Sequence, residues 1–224
     1  MSIKLKSEDT VRSLIAFINK RTEKEDTNLT DAVRALEAER ERGFFLLNGT
    51  LGGTVKRLTV KDMGNITSLP QYLFSMNENL EYFEFPDTLT SIGQGCFYTC
   101  INLVSYSLPE AITDFKSSVF YKTKVAFTKL PDALETIATN VFTYCTELRI
   151  SEIPAGVKSI SRGAFAYCTG IKTITFKGTP DTLEGTVFTG CTELTEINVP
   201  WAEGEVAKAP WGAPNAKINY NCTV

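Results

Sequence analysis

A phenylalanine recurs along this chain at a nearly constant spacing, and this periodicity constrains the fold more than any other feature of the sequence. Successive members of the series are 23, 23, 22, 23 and 23 residues apart: Phe74, Phe97, Phe120, Phe142, Phe165 and Phe188. A cysteine follows the phenylalanine by three residues in four of these units. Such a period is typical of a solenoid, in which each unit buries its apolar side only against the next.

The units also predict their own local structure. Each contains a turn, a short helical or 3₁₀ segment around the phenylalanine, and a strand that ends near a proline, because proline fixes φ and lacks an N–H. Interior positions of one unit are Ile92, Phe97, Leu103 and Leu108, which meet their counterparts in the next unit. With strands about 4.8 Å apart, the repeats predict a stack roughly 30 Å long.

The repeat pattern resembles a known family. Residues 153–168 read Ile-Pro-x-x-Val-x-x-Ile-x-x-x-Ala-Phe-x-x-Cys, which is similar to the BspA-like leucine-rich repeat. The resemblance covers about residues 66–200 and implies a curved or twisted solenoid with a parallel sheet on one side. It also implies a binding role at a surface or outside the cell. Two units depart from the pattern, because Asn77 and Thr123 stand at the cysteine position and the third unit is one residue short.

The two ends of the chain do not carry the repeat. The fold class predicted is therefore an α/β repeat: a leucine-rich-repeat-type solenoid with a parallel sheet, an N-terminal helical hairpin and a C-terminal cap. We predict the hairpin over residues 1–42, the solenoid of about six coils over residues 43–200, and the cap over residues 201–224. In the cap, Trp201 and Trp211 can cover the last coil, and residues 217–221 can add a final strand.

The N-terminal hairpin is predicted from two helix starts. Ser7 and Thr30 are good N-caps, and each precedes an amphipathic pattern of apolar residues. The apolar stripe of the hairpin must be buried, either as a lid on the first coil or against other copies of the chain. The second alternative predicts a homo-oligomer through the N-terminal helices.

Both ends also suggest where the protein works. Residues 17–33 and 201–224 resemble the ends of repeat proteins in phage and prophage structural modules of Gram-positive gut bacteria. This resemblance implies a structural accessory that takes part in surface attachment. The alternative is a BspA-like adhesin that binds a protein or glycan on a host surface. No apolar segment follows the first residues, so no secretory signal is predicted. We therefore expect cytoplasmic assembly into a virion, with the cell surface or secretion as the alternative.

The composition narrows the chemistry. The chain has no histidine, which removes the commonest general base and the commonest metal ligand. Its net charge is −3 and no Lys/Arg cluster stands out, so we expect no nucleic-acid partner. No stretch is apolar over the length of a membrane span. We predict no enzymatic activity, no cofactor and no metal; the alternative, a two-carboxylate glycosidase, finds no paired acids in the repeat.

The cysteines suggest a structural role. Cys145, Cys168 and Cys191 are 23 residues apart, so their spacing equals the repeat period and places them at equivalent interior turns. We predict free, buried thiols, with a disulfide or a metal as the remaining alternatives. Cys222, near the chain end, is the thiol expected to react most readily.

Counting back from each proline predicts which strand residues face the interior. The predicted inward residues are Phe83, Phe85, Tyr106, Leu108, Ile174, Phe176, Ile197 and Val199. The predicted outward residues form the candidate binding face: Tyr82, Glu84, Ser105, Ser107, Phe127, Lys129, Ile150, Glu152, Thr173 and Thr175. A slip of one residue would instead bury Phe127 and Ile150 and expose Thr128 and Ser151. We favour the slip, because such apolar side chains are unusual on a solvent face.

Overall fold

The computed structural model describes residues 57–59, by their backbone alone, and residues 67–69 and 71–223. The helical hairpin predicted over residues 1–42 lies outside the described residues. The predicted parallel-sheet solenoid of leucine-rich-repeat type is confirmed, because all strand pairs are parallel and most are offset by 23 residues, as in Glu196↔Thr173 and Ser68↔Ser91.

The described part of the chain forms short strands on two faces of the stacked coils. The strands are β1 Arg57–Thr59, β2 Ser68–Leu69, β3 Tyr82–Glu84, β4 Ser91–Ile92, β5 Asp114–Phe115, β6 Thr136–Ile137, β7 Glu152–Ile153, β8 Ser159–Ile160, β9 Thr173–Phe176, β10 Thr182–Leu183, β11 Glu196–Asn198 and β12 Lys217–Asn219. On the front, β1 pairs with β3, and β7, β9, β11 and β12 form a four-stranded sheet in that order; we call these two sheets together the front sheet. On the side, β2 pairs with β4, and β5, β6, β8 and β10 form a four-stranded sheet in that order; these two together are the side sheet. The sequence predicted the front sheet; the side sheet is an addition.

The turns around the repeated phenylalanines, which we call the turn edge, are not helical. This corrects the predicted helical or 3₁₀ segment, and with it the α/β class, since the described residues contain no helix. The residues two before and two after the phenylalanine have positive φ in nearly every coil, as in Gly95 (56°) and Thr99 (54°). A helix would require N–H groups to bond within the coil, whereas Phe97 donates to Val119 O of the next coil at 3.0 Å.

The interior of the solenoid is built on two ladders. The repeated phenylalanines stack face to face, with ring centroids 5.3–5.7 Å apart and planes within 12° of each other. Beside them, each repeat cysteine donates its S–H to the carbonyl of the phenylalanine in the preceding coil. Cys100 reaches Phe74 O at 2.8 Å, and Cys168 reaches Phe142 O at 2.9 Å. These four coils are thereby tied to the preceding coil by apolar contact and by a hydrogen bond to a buried carbonyl, whereas Thr123, at the cysteine position of the third coil, donates to Phe120 O of its own coil at 2.9 Å.

After the last repeat, the chain continues the stack with one further coil, in which Trp211 follows Phe188 by 23 residues. Trp201 and Trp211 are buried, and both rings pack against Phe176 with centroids 5.2 and 6.2 Å away. The Trp211 carbonyl accepts the N–H of Phe188 at 2.9 Å, and Trp211 Nε1 donates to Ala207 O at 2.8 Å. The predicted final strand is present as β12, which pairs with β11.

Candidate functional site

The predicted binding face is only partly exposed. Ser105, Phe127 and Ile150 are 3%, 0% and 1% exposed, which corrects their assignment to the solvent side. Thr128 and Ser151 are exposed instead, so the favoured one-residue slip is confirmed. Burial of an aromatic or branched apolar side chain stabilises the fold by about 1.5–3 kcal/mol, and the chain adjusts its register to gain it.

A second correction concerns Tyr106, which was predicted to face inward and is 66% exposed. The cause is the pairing between the first two coils. Tyr82 pairs with Val104, an offset of 22 residues rather than 23, so Ser105 lies beside buried Phe83 and Tyr106 faces outward. The other predicted inward residues are buried, apart from half-buried Leu108, which packs against the core.

The middle three coils share a feature that the outer coils lack at the equivalent position, directly before the last apolar residue of the front segment. In each of them, two consecutive residues are exposed where strict alternation would expose one: Tyr106–Ser107, Thr128–Lys129 and Ser151–Glu152. We call these six residues the front strip. An extra outward residue in a strand re-aims the side chains beside it and widens the exposed face. Of the remaining predicted face residues, Thr173 is exposed, whereas Tyr82, Glu84 and Thr175 are half-buried.

Charges of both signs lie on the front strip. Lys129 Nζ is 2.9 Å from Asp132 Oδ2 and 3.1 Å from Glu110 Oε1, while Glu152 Oε1 is 3.3 Å from Lys177 Nζ. The hydrogen bonds that Lys129 donates to Asp132 and Glu110 raise the pKa of Lys129, so its ammonium stays charged at neutral pH. Exposed pairs of this kind add little stability, which leaves them available to a partner.

A row of tyrosines, absent from the sequence prediction, lies on the turn edge. We call Tyr98, Tyr121, Tyr144 and Tyr167 the tyrosine ridge. Tyr98 stacks on Tyr121 with centroids 4.9 Å apart and planes 13° apart, and Tyr144 stacks on Tyr167 at 4.5 Å and 7°. The two pairs meet edge to face at 5.9 Å and 83°. Tyr144 and Tyr167 remain 38% and 41% exposed.

Lys122 stands where the two tyrosine pairs meet. Its Nζ is 5.7 Å from the centroid of Tyr121 and 5.4 Å from that of Tyr144, within the range of a cation–π contact. Partial burial is the main cause that raises the pKa of Tyr121, and the neighbouring phenols of Tyr98 and Tyr144 add to it. The phenol of Tyr121 therefore stays neutral and able to donate a hydrogen bond.

The family follows from the repeats and from a direct comparison. A model of the BspA type leucine-rich repeat region, with six copies, matches residues 67–195, more than half of the chain. The chain belongs to the BspA-type leucine-rich repeat family. The solenoid of this family is typically a non-enzymatic binding scaffold. Among proteins with curated descriptions, none matches the chain.

Solved structures similar to this BspA-type chain include three bacterial repeat proteins. A leucine-rich repeat protein of T. pallidum is 22% identical with a TM-score of 0.55, covering 66% of this chain and 73% of that chain. A leucine-rich repeat protein from Bacteroides ovatus is 25% identical with a TM-score of 0.47, covering 59% and 35%. A leucine rich cell surface protein from Faecalibacterium prausnitzii is 21% identical with a TM-score of 0.41, covering 66% and 33%. The first of these supports the fold alone.

The cysteines of the BspA-type repeats are buried free thiols in the described structure. Burial raises the pKa of Cys100 and of Cys145 to about 12, which suppresses the thiolate that would attack a disulfide or bind a metal. Cys222 is partly exposed. Among the described residues, no group of three His, Cys, Asp or Glu side chains is placed to hold a metal ion, and no helix has the length and apolar character to cross a membrane.

The tyrosine ridge had a signal in the sequence. A tyrosine follows the repeated phenylalanine by one residue in two coils, at Tyr98 and Tyr121, and by two residues in two others, at Tyr144 and Tyr167. The change of offset hides the row from a search for strict identity at one repeat position. The side sheet and the turn-edge hydrogen bonds then bring all four rings onto one edge.

Proposed function

We propose that this BspA-type repeat protein is a non-catalytic binding protein that attaches its carrier to a cell surface, with a surface protein or glycan as the ligand. The observation that carries the proposal is the front strip, which exposes two neighbouring side chains in each of three successive coils. Its Tyr106 is the most exposed of the large hydrophobic residues in the described structure, at 66%. Exposed tyrosines beside polar side chains are typical centres of protein binding surfaces.

The rigidity of the solenoid supports this proposal. Because the core behind the front strip is stacked and hydrogen-bonded coil to coil, the exposed side chains are held in position before a ligand arrives. Lys129 and Glu152 place opposite charges on the same strip, which favours one orientation of a partner over the reverse.

The carrier that we propose is a phage or prophage particle, with a bacterial surface adhesin as the alternative. The resemblance of both chain ends to phage structural modules supports the first. The family relationship is compatible with either, because both would present the same solenoid face. The two carriers predict different targets: bacterial host cells for the particle and animal host tissue for the adhesin.

Two matched lysine variants test the binding face. Lys129, on the front strip, and Lys158, on the side of the solenoid, are both exposed and both ion-paired, with side chains 58% and 62% exposed.

Beads coated with the full chain are counted on Gram-positive gut bacteria and on intestinal epithelial cells. We expect Lys129→Glu and Tyr106→Ser to lower retention at least fivefold, and Lys158→Glu to leave it unchanged. Equal retention of all variants would overturn the assignment of the front strip, whereas retention on one cell type identifies the carrier.

The predicted homo-oligomer through residues 1–42 lies outside the described residues and stays a proposal. Light scattering on a sizing column is measured for the full chain and for a chain that starts at Gly43. A discrete oligomer that falls to a monomer on truncation would support assembly through the N-terminal segment. A monomer in both cases would contradict it.

A further inference from the structure

We propose that the tyrosine ridge is a second binding surface and that it binds a linear glycan carrying carboxylate groups. The ridge lies on the turn edge, and its residues are distinct from those of the front strip. Three observations support the inference: the backbone conformation of its residues, the way its rings stack, and the position of Lys122.

Two ridge tyrosines occupy positions that favour glycine. Tyr144 and Tyr167 have φ values of 64° and 59°, a left-handed conformation that side chains with a Cβ disfavour. Gly190 takes the equivalent position in the last coil with a φ of 73°, so the turn is compatible with glycine. Neither the turn geometry nor core burial requires a tyrosine at these positions. The left-handed conformation belongs to the turn, because Met76 and Thr99 share it, so it is the choice of tyrosine at two of these positions that the fold leaves unexplained.

The stacking determines which part of each ring a ligand can contact. In both tyrosine pairs the ring faces lie against each other, at 4.9 and 4.5 Å. A Cβ at Gly190 would collide with the ring of Tyr167, so the Gly190 backbone also lies against that ring. What remains for a ligand is a row of ring edges and phenol hydroxyls. Each hydroxyl can donate and accept a hydrogen bond, which suits a ligand rich in hydroxyl groups better than an apolar or proline-rich peptide that needs open ring faces.

Lys122 adds a positive charge to the row. Its ammonium lies against the rings of Tyr121 and Tyr144 and forms no ion pair with another residue that the structure describes. Lys122 also has a positive φ of 56°, so its side chain leaves the backbone from the same kind of position as Tyr144. A single unpaired ammonium within a row of hydroxyls matches a sugar carboxylate.

The length and charge of the ridge favour a glycan over other polyanions. Four coils with a rise of about 4.8 Å place the first and last tyrosine about 14 Å apart, which is enough for a few sugar units of an extended chain. A nucleic acid would require many cations along its phosphates, whereas the ridge has one lysine and the whole chain has a net charge of −3. A sparsely charged, hydroxyl-rich polymer fits this arrangement.

Affinity electrophoresis of the full chain tests the proposal. Native gels contain either polygalacturonate, its methyl ester, which has the same sugar backbone without the charge, or no glycan. We expect both polymers to slow the protein and the acidic form to slow it more. The double variant Tyr144→Gly/Tyr167→Gly should lose at least tenfold in apparent affinity for both polymers, while its thermal unfolding stays cooperative because glycine suits both positions.

Two further variants separate the contributions of ring, hydroxyl and charge. Lys122→Gln should bind the acidic polymer and the ester equally, and Tyr144→Phe, which keeps the stack, should lose several-fold affinity for both. Lys158→Gln, an exposed lysine outside the front strip and the tyrosine ridge, serves as the control and should bind as the unchanged protein does. The proposal is overturned if polygalacturonate does not slow the unchanged protein, if the double glycine variant binds equally well, or if Tyr106→Ser, which removes the exposed ring of the front strip, is the variant that loses binding.

Discussion

The front sheet and the turn edge run along the same stack of coils, yet they tolerate irregularity very differently. On the turn edge, every repeated phenylalanine is stacked on the next and donates its N–H to the following coil. On the front, regular strands stop after β3 and resume at β7, and one isolated bridge with an offset of 22 residues marks the gap. The period of the solenoid is therefore maintained by the turn edge, whereas the front face is free to vary.

The short third unit shows the same division. From a proline to the next phenylalanine there are 11 residues in each of the first four units, as in Pro109 to Phe120 and Pro131 to Phe142. From a phenylalanine to the next proline there are 12 in four units, 11 from Phe120 to Pro131, and 15 from Phe165 to Pro180, since the fifth unit has no proline at the usual position. The missing residue thus lies in the front half of the coil, and the stack of Phe120 on Phe142 is undisturbed at 5.5 Å and 9°.

A pair of insertions should break this comparison most strongly. One alanine inserted after Asn140, on the turn edge, shifts the left-handed residues by one position, so the N–H groups that they orient no longer face their acceptors in the next coil. We expect a loss of at least about 4 kcal/mol in the free energy of unfolding. One alanine inserted after Lys124, on the front, restores the missing residue and should change it by less than about 1 kcal/mol. Urea denaturation followed by circular dichroism measures both. Equal losses would show that the two edges are equally constrained.

Removal of one ring from the phenylalanine ladder should have the next largest effect. Phe165 is fully buried and stacks on Phe142 and Phe188. Phe165→Ala should lower the free energy of unfolding by about 3–5 kcal/mol, through lost burial and the cavity that remains. Equilibrium denaturation provides the value, and exposed Tyr106→Ala is the control with little expected loss. A negligible loss for Phe165→Ala would contradict the assigned core.

Stability should fall in alkali because of the thiols on the turn edge. Burial raises the pKa of Cys145 from 9.0 to about 12, so between these values the unfolded chain releases a proton that the folded chain keeps. The stabilising contribution is therefore complete below about pH 8 and is lost as the pH rises from 9 towards 12, by about 1 kcal/mol per fully buried thiol at pH 10. Urea midpoints at pH 7 and pH 10 under reducing conditions measure the loss. Cys145→Val should show a smaller drop, and an equal drop would exclude this thiol as a source.

The smallest expected effect concerns the ridge. Tyr144→Gly removes a stacked ring but relieves a left-handed side chain, and these two contributions are each about 1 kcal/mol and of opposite sign. We expect the free energy of unfolding to change by less than about 1 kcal/mol, measured by denaturation. Tyr144→Val, which places a β-branched residue at the same φ, should be clearly less stable than Tyr144→Gly. If it is not, the backbone strain at this position is negligible.

The sequence predicted the solenoid, its parallel strands and the inward phenylalanines, because a constant period leaves few other ways to bury Phe97 and its equivalents. It did not predict the side sheet, whose strands of two residues, such as Ser159–Ile160, are too short for an alternating pattern to be visible. The helical interpretation of the turn edge was wrong because side chains such as those of Thr99 and Lys122 give no sign of a left-handed backbone. That conformation is stabilised only by the next coil.

The candidate binding face was predicted in outline and misplaced in detail. Counting back from prolines assumes one inward residue in two, and this assumption holds for Ile174 and Ile197 but not for Tyr106. The deviation depends on the pairing of Tyr82 with Val104, a long-range contact that no local pattern encodes. The tyrosine ridge needed the fold itself, since its members come from two different repeat positions.

The left-handed residues of the turn edge also orient the backbone N–H and carbonyl groups so that the stack has an electrical polarity along its axis. On the turn edge, N–H groups such as that of Phe97 point to the following coil, and carbonyls such as that of Cys96 point to the preceding one. Paired strands carry only small net dipoles, so the dipole of the turn edge dominates along the axis of the stack. Its positive end lies at the C-terminal end of the stack, whereas the positive end of an α-helix dipole lies at the N-terminus. The carbonyl of Trp211 neutralises that end by accepting the N–H of Phe188. A chain cut before Trp211 would leave this donor buried, unpaired and at the positive end of the line of dipoles.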